Sequence, residues 1–292
     1  MSAADGNVPT LSVIVVTADS GASTHACVEA VLACTLPLEL ILIDNGSRDG
    51  IPQAIAREHA GDPRLRVLFN HANLGFGPAV NRAAATARGR YLLVLNPDCV
   101  VDEAALRRLI AVAEHEPRAG LVGAVVLDAD GRPDPASRRR DPVLARVLAT
   151  LRGRGEGVNI DGEIPHALIE AEAVSGALML LPRSLFARLG GFDEGYFLHF
   201  EDLDLCRRVR EAGWRVLLAG DVRVPHGKGG SSRHRPVFVD RHKHRGLWRW
   251  LRKFDPAMRR PWVAAPVWLA LWAHFLLRAP RLAYRRIKQG GR

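Results

Sequence analysis

Residues 91–101, YLLVLNPDCVV, constrain the fold more tightly than any other stretch. Five apolar residues in a row predict a strand buried on both faces, as in a parallel sheet covered by helices. Asn96-Pro97-Asp98 stops the run. Proline has no N–H for a ladder, so Asp98 is left beyond the strand's carboxyl end. Ligands of open α/β sheets sit at that edge. A carboxylate there, beside an amide and a proline-set turn, suits a hard divalent cation that holds phosphate oxygens. The competing role is a helix cap, for which Asp102 is better placed than Asp98.

The flanking chain repeats the same unit. Residues 11–17 (LSVIVVT), 39–43 (ELILI) and 65–69 read as buried strands, separated by a helix at about 25–35 and followed by another reaching about 88. Residues 103–116 carry an apolar stripe at helical spacing. Residues 121–127, 174–181 and 214–224 read as further strands. This alternation argues for an α/β fold with a doubly wound parallel sheet. No G-x-G-x-x-G follows the first strand and no P-loop occurs, which weakens dinucleotide and P-loop readings.

Several polar residues fall at strand ends. Asp44 closes the second strand in Asp-Asn-Gly-Ser, near Thr17 at the end of the first. It can accept the imide N–H of a pyrimidine or form an Asx-turn. Asn73-Leu74-Gly75-Phe76-Gly77-Pro78 lets backbone approach a ligand closely and opens a helix carrying Asn81. Gly176, early in its strand, marks another close approach. Glu201 and Asp202 open a helix whose positive end keeps carboxylates ionised, as a general base requires or as a cap provides. Asp204 and Arg208 are spaced to pair along it. His226 leaves the last strand into a glycine-rich loop with Lys228, suited to contact a metal or diphosphate and to close over a substrate. Residues 128–170 show no sustained period beyond a short helix at 143–151. Their Arg138-Arg139-Arg140 run reads as solvated charge or as a holder for an anion.

The net charge of +10 is not spread along the chain. Residues 241–292 hold 14 Lys/Arg against Asp255 alone, a charge of +13, so residues 1–240 carry −3. The body therefore lacks the electrostatic footprint of a nucleic-acid binder. Five of the six tryptophans also lie in that tail, around the apolar run at 262–277. Tryptophan with clustered Lys/Arg favours an anionic membrane surface. The charge-free run is short of a span and contains Pro266, which predicts a helix lying in the interface. Cys27, Cys34, Cys99 and Cys206 have no metal or redox spacing and read as core fillers. The N-terminus lacks the pattern of a signal peptide, so the body is expected in the cytoplasm.

Taken in order, LSVIVVT, LILIDNGSRDG, NLGFGPAVNRA, YLLVLNPD, VSGALML, GGFDE, FLHFEDLDLCRRVREAGW and VPHGKGG resemble family 2 of the inverting glycosyltransferases, nearest its rhamnosyltransferase-like branch. The resemblance covers about residues 11–232 and implies a GT-A fold. It implies a catalytic domain over 9–240, followed by a membrane-associating segment over 241–292. Thr17 and Asp44 would bind the pyrimidine of a nucleotide-diphosphate sugar, with Asn73, Gly75, Asn81 and Asn96 in the nucleotide site. Asp98 would hold Mg²⁺ or Mn²⁺ on the diphosphate, with His226 near the metal. Asp202 would be the general base, and Glu201, Gly176 and Lys228 would belong to the acceptor side or lid. The branch points to dTDP-rhamnose as donor and to a lipid-linked or polysaccharide acceptor at the cytoplasmic face of a bacterial inner membrane. Two departures stand out: the first acid of the DxD-like motif is Asn96, and Ala173 stands where relatives often carry tryptophan. A non-catalytic sugar-nucleotide binder and a nucleotidyltransferase on the same sheet are the alternatives.

Overall fold

The computed structural model describes residues 8–151, 157–227 and 235–290. Strands β1 (Leu11–Thr17), β2 (Leu38–Asp44), β3 (Leu65–Phe69) and β4 (Tyr91–Leu95) alternate with helices α1 (Ser23–Leu32), α2 (Ile51–Glu58) and α3 (Phe76–Ala84). Every residue of β1 and β4 is buried. Val13, Val15, Leu93 and Leu95 enter one core, whereas Ile14, Val16, Leu92 and Val94 enter the other. That two-sided burial is why these strands read as unbroken apolar runs.

The four strands pair in parallel in the order β3-β2-β1-β4. The chain leaves β1 toward β2 on one side and returns as β4 on the other. Such a reversal opens a crevice at the carboxyl ends of the strands it separates. Thr17 and Asn96 border it.

Helix α4 (Glu103–His115) follows, its start capped by Asp102, which accepts the Ala105 N–H at 2.7 Å. Next come β5 (Ala119–Leu127), β6 (Arg138–Arg139), α5 (Leu144–Leu151), β7 (Leu168–Glu170), β8 (Ala173–Val174), β9 (Leu178–Pro182), α6 (Arg183–Arg188), α7 (Glu201–Glu211) and β10 (Arg215–Pro225). The sheet continues β4-β9-β5-β10-β7, with β9 antiparallel to both neighbours and β7 antiparallel to β10. The expected single strand at 174–181 is therefore two. β8 pairs with β6 and β9 inserts beside β4, so the chain changes partners through a turn at 175–177. Because Leu178 pairs with Leu95, that turn lies over the carboxyl end of β4.

Residues 128–170 are not loop alone. They supply β6, α5 and β7, and they are tied down by Asp141, whose buried carboxylate accepts from Arg207 at 2.8 Å and Arg210 at 2.6 Å on α7.

Two helices close the chain, α8 (Pro236–Phe254) and α9 (Pro261–Gly290). Pro266 does not interrupt α9, contrary to the expectation. It falls in the second turn, where its missing N–H leaves the Trp262 carbonyl without its helix partner and little else is lost. Residues 261–284 form 24 helical residues, about 36 Å long, with an 18-residue window of mean hydropathy 1.3, enough by length and composition to cross a membrane. Only 11% of the apolar window is buried against protein.

Candidate active site

The end of β4 and the end of β10 meet at the crevice. Val100 N–H donates to Pro225 O at 3.2 Å and Gly227 N–H to Asp98 O at 2.9 Å, so the NPDC turn and the His226 segment are laced backbone to backbone. His226 Nε2 lies 3.0 Å from Asp98 Oδ1 and 3.2 Å from Asn96 Nδ2. His226 Nδ1 is shut from solvent without a partner. Donor atoms of Asp98, Cys99 and His226 all fall within 4.8 Å of one another. Burial, then the charge of Asp98, pushes the Cys99 thiol well above its ordinary range, and its Sγ faces Ala177 O. Cys99 is fully buried with its thiol turned to Ala177 O, the core position expected of it. A carboxylate with an imidazole fits a divalent cation that completes its shell with phosphate oxygens.

The second acid enters from α7. The chain reaches that helix through two successive non-glycine residues in the left-handed region, His199 (φ 66°) and Phe200 (φ 75°). Strain of this kind persists only where surrounding packing imposes it. Asp202 Oδ2 accepts Arg139 Nη2 at 2.5 Å and Gly176 N–H at 3.0 Å, and Oδ1 accepts Leu203 N–H at 2.8 Å. Burial works to raise the Asp202 pKa, but the charge and hydrogen bond of Arg139 with the two N–H donors outweigh it and hold the carboxyl below its usual range. A carboxylate offers about four acceptor positions, so one remains on Oδ1. Arg139 is thus neither solvated nor an anion holder: its guanidinium is mostly buried and also donates to Val174 O at 2.5 Å. Glu201 is buried, with one oxygen unpartnered. Burial and then the Asp202 charge push it up to about 8. Asp204 pairs with Arg208 at 2.5 Å, as its spacing predicts.

One turn connects the two acids. Asn96 N–H donates to Ala177 O at 2.9 Å, while Gly176 N–H binds Asp202. A Cβ on Gly176 would meet Asp202 Cβ and Oδ2 at 3.1 Å, so the early glycine permits this approach. The NPD segment, through Asn96, and Asp202 are thereby both bonded to the 175–177 turn.

Thr17 and Asp44 are register partners at the ends of β1 and β2, and both are buried. Asp44 Oδ1 accepts the N–H of Ser47 at 2.8 Å, three residues on and one further than the expected Asx-turn, which leaves its other oxygen for a ligand. Asn45, which the sequence does not single out, shapes the neighbouring loop. Its Nδ2 donates to Asn73 Oδ1 and Gly75 O, each at 3.0 Å, and its Oδ1 accepts from Leu74 and Asn70. Gly75 (φ 94°) brings this loop against Phe197, where a Cβ would sit 2.7 Å from the Phe197 carbonyl. Asn81 differs from expectation. Both N–H donors of its amide are spent on the 192–194 loop, on Phe192 O and Glu194, and its Oδ1 accepts Phe192 N–H, so it braces that loop and has no N–H left for a nucleotide. Lys228 lies outside the described residues.

Residues 12–171 match the sequence profile of Glycosyl transferase family 2. An N-acetylglucosaminyl-diphospho-decaprenol L-rhamnosyltransferase of Mycobacterium tuberculosis is 32% identical over 88% of this chain and 89% of its own length. Rhamnosyltransferase WbbL of Escherichia coli is 27% identical over 61% of this chain and 78% of its own. Among solved structures, the mannosyltransferase PcManGT of Pyrobaculum calidifontis, in complex with GDP-Man and Mn²⁺, superposes with a TM-score of 0.60. It is 20% identical and covers 94% of this chain and 73% of its own. That likeness bears on the fold, which is GT-A-like. The profile match and the length-wide similarity to the rhamnosyltransferase place the chain in glycosyl transferase family 2, as a glycosyltransferase.

Proposed function

We propose that the enzyme transfers rhamnose, with inversion, from dTDP-rhamnose to a sugar carried on a lipid diphosphate, working at the cytoplasmic surface of the inner membrane. The observation that carries the proposal is that the 175–177 turn is hydrogen-bonded both to Asn96, two residues before Asp98, and to Asp202. The acceptor class follows from the diphospho-decaprenol relative, which is similar along nearly its whole length.

In this reading Thr17 and Asp44 hold the base, and the Asn73–Gly75 loop, fixed by Asn45, lies along the nucleotide. Asp98 and His226 would hold Mg²⁺ or Mn²⁺, which when bound neutralises charge on the departing diphosphate. Asp202 accepts the proton of the acceptor hydroxyl at its open Oδ1 position. The freed oxygen attacks the anomeric carbon from the face opposite the leaving group, and the C–O bond to the nucleoside diphosphate breaks. The Arg139 ion pair and the Gly176 N–H fix the carboxylate's direction and keep it ionised, as a base must be before the proton moves.

Helix α9 lies along the membrane rather than through it. Midway along the helix, His274 Nδ1 sits 3.0 Å from His244 Nε2 of α8, and Arg278 Nη2 sits 3.6 Å from Asp240. A helix bound there to a strongly basic neighbour keeps one side at water level while Trp262, Trp268, Leu269, Leu276 and Leu277 stay exposed for lipid.

The test is transfer in detergent from dTDP-rhamnose to synthetic N-acetylglucosaminyl-diphospho-farnesol, with UDP- and GDP-sugars in parallel. Product formed with inverted anomeric configuration, and only with Mg²⁺ or Mn²⁺ added, supports the proposal. Turnover confined to another donor, or a retained configuration, contradicts it.

A further inference from the structure

Helix α8 is basic throughout, yet its charges fall into two groups. Toward its carboxyl end Arg249 and Lys253 each reach Asp193 at 2.7 Å, and Lys253 also reaches Asp204 at 2.6 Å. Toward its amino end Arg241, Lys243 and Arg245 are exposed and have no acidic partner among the described residues. Structural ion pairing accounts for the first group and not for the second.

Arg245 of this group lines a small cavity of about 20 Å³, open to solvent, between residues 195–199 and α8. His199, His242 and Arg245 line it. The cavity is held in shape by close packing on two sides. Phe197 stacks on His242 with ring centres 4.7 Å apart, and a Cβ on Gly246 would meet the Phe200 ring at 2.7 Å and His199 O at 3.1 Å. His199 Nε2 is shielded from solvent and has no hydrogen-bond partner, which is costly unless a ligand meets it. His199 is pushed down to about 4, first by burial, then by Lys243, with Arg139 and His242 adding to this and Asp202 opposing it. His242 is lowered by burial, Arg245 and Arg241. The local field is that of surplus cations.

His199 is three residues before Asp202 in the chain, so this surplus sits next to the base. Beyond it α8 leads to α9, whose apolar face is open. The order is base, cations, lipid-facing helix. A sugar linked through a diphosphate to a polyprenyl chain has the same order: hydroxyl, two phosphates, hydrocarbon.

We infer that His199, Lys243 and Arg245 form the subsite for the diphosphate of the lipid-linked acceptor. Arg245 supplies charge-assisted hydrogen bonds to its oxygens, the His199 ring supplies a second contact from the loop that precedes Asp202, and Lys243, on the flank of the helix, adds positive charge. The site takes its anion from the acceptor and not from the donor, whose diphosphate belongs to the Asp98–His226 corner. This assignment rests on the proposed acceptor class, and the experiment separates the two.

The full chain in detergent is assayed with N-acetylglucosaminyl-diphospho-farnesol and with octyl N-acetylglucosaminide, which lacks phosphate. In R245A and in K243A/R245A the KM for the diphosphate acceptor should rise about tenfold to a hundredfold. The donor KM, and the KM for the octyl glycoside, should move less than twofold. An equal rise for both acceptors, or a rise in donor KM, overturns the subsite. A second arm does not depend on turnover: binding of farnesyl diphosphate in EDTA, followed by tryptophan fluorescence, in wild type and R245A. Weaker binding by R245A supports the subsite even if no sugar is transferred, a result that would sink the acceptor reading alone. Unchanged binding overturns the subsite. A third arm uses phosphatidylcholine vesicles with and without phosphatidylglycerol. Loss of vesicle binding by R245A, with farnesyl diphosphate binding intact, assigns these cations to lipid headgroups and overturns it as well.

Discussion

At the scale of single residues, the neighbouring acids Glu201 and Asp202 are driven in opposite directions. Arg139 holds Asp202 low, whereas burial and the Asp202 charge raise Glu201 from 4.5 to about 8. Between those two values the folded chain keeps a proton on Glu201 that the unfolded chain has released. The stability this confers is complete below about pH 4.5 and is lost as pH rises toward about 8. E201Q removes the dependence. Its melting temperature should fall less than that of wild type between about pH 5 and about pH 8, by on the order of a few °C. Parallel melting curves would show that Glu201 is ionised in the fold. Asp98, Asp202 and His226 were legible in the sequence because each sits in a local pattern, a strand end or a helix start. Arg139 was not, since its partner is 63 positions away and a three-arginine run reads as surface. Asn45 escaped for the same reason. Its amide bonds bridge 25 to 30 positions and leave no local trace.

At the scale of elements, the strands were the most legible part, because two-sided burial forces unbroken apolar runs. The exceptions follow from pairing. β8 and β9 read as one strand because the sequence carries no mark of their different partners, apart from Gly176 in the turn between them. Strand β2 contains a polar interruption that the apolar run conceals. Glu39, 1% exposed, accepts Ser12 Oγ at 2.6 Å, Arg88 N–H at 2.6 Å and the Arg66 and Arg88 guanidiniums at 3.0 and 3.1 Å. It joins β1, β2 and the end of α3's connection at the edge of the sheet opposite the crevice. E39A should cost about 2–3 kcal/mol, less than for a fully buried pair because both guanidiniums can rehydrate. Urea unfolding would measure it, and a loss below about 0.5 kcal/mol would show that the carboxylate is not holding these strands. Donor affinity of the folded variant should be unchanged, since Asp44 lies at the other end of β2.

At the scale of the whole molecule, charge and apolar surface divide along the chain. The body to residue 240 is near neutral, and the remaining 52 residues carry the surplus cations and five tryptophans. Removing residues 262–292 should move the protein from the membrane fraction to the soluble fraction, while donor binding by the remaining chain persists. Retention on membranes after the truncation would place the attachment elsewhere. The tail's composition was readable from sequence, but its continuity was not. Pro266 suggested a break, and one long helix fastened along α8 resulted.

In the proposed mechanism Asp202 takes the acceptor proton while other residues bind the donor. The most direct measurement is D202N in the full-length enzyme, comparing donor affinity by titration with transfer rate under saturating acceptor. Donor affinity within twofold of wild type, with transfer slowed about 10²–10⁴-fold, is the expected result. Transfer within a few-fold of wild type would contradict it.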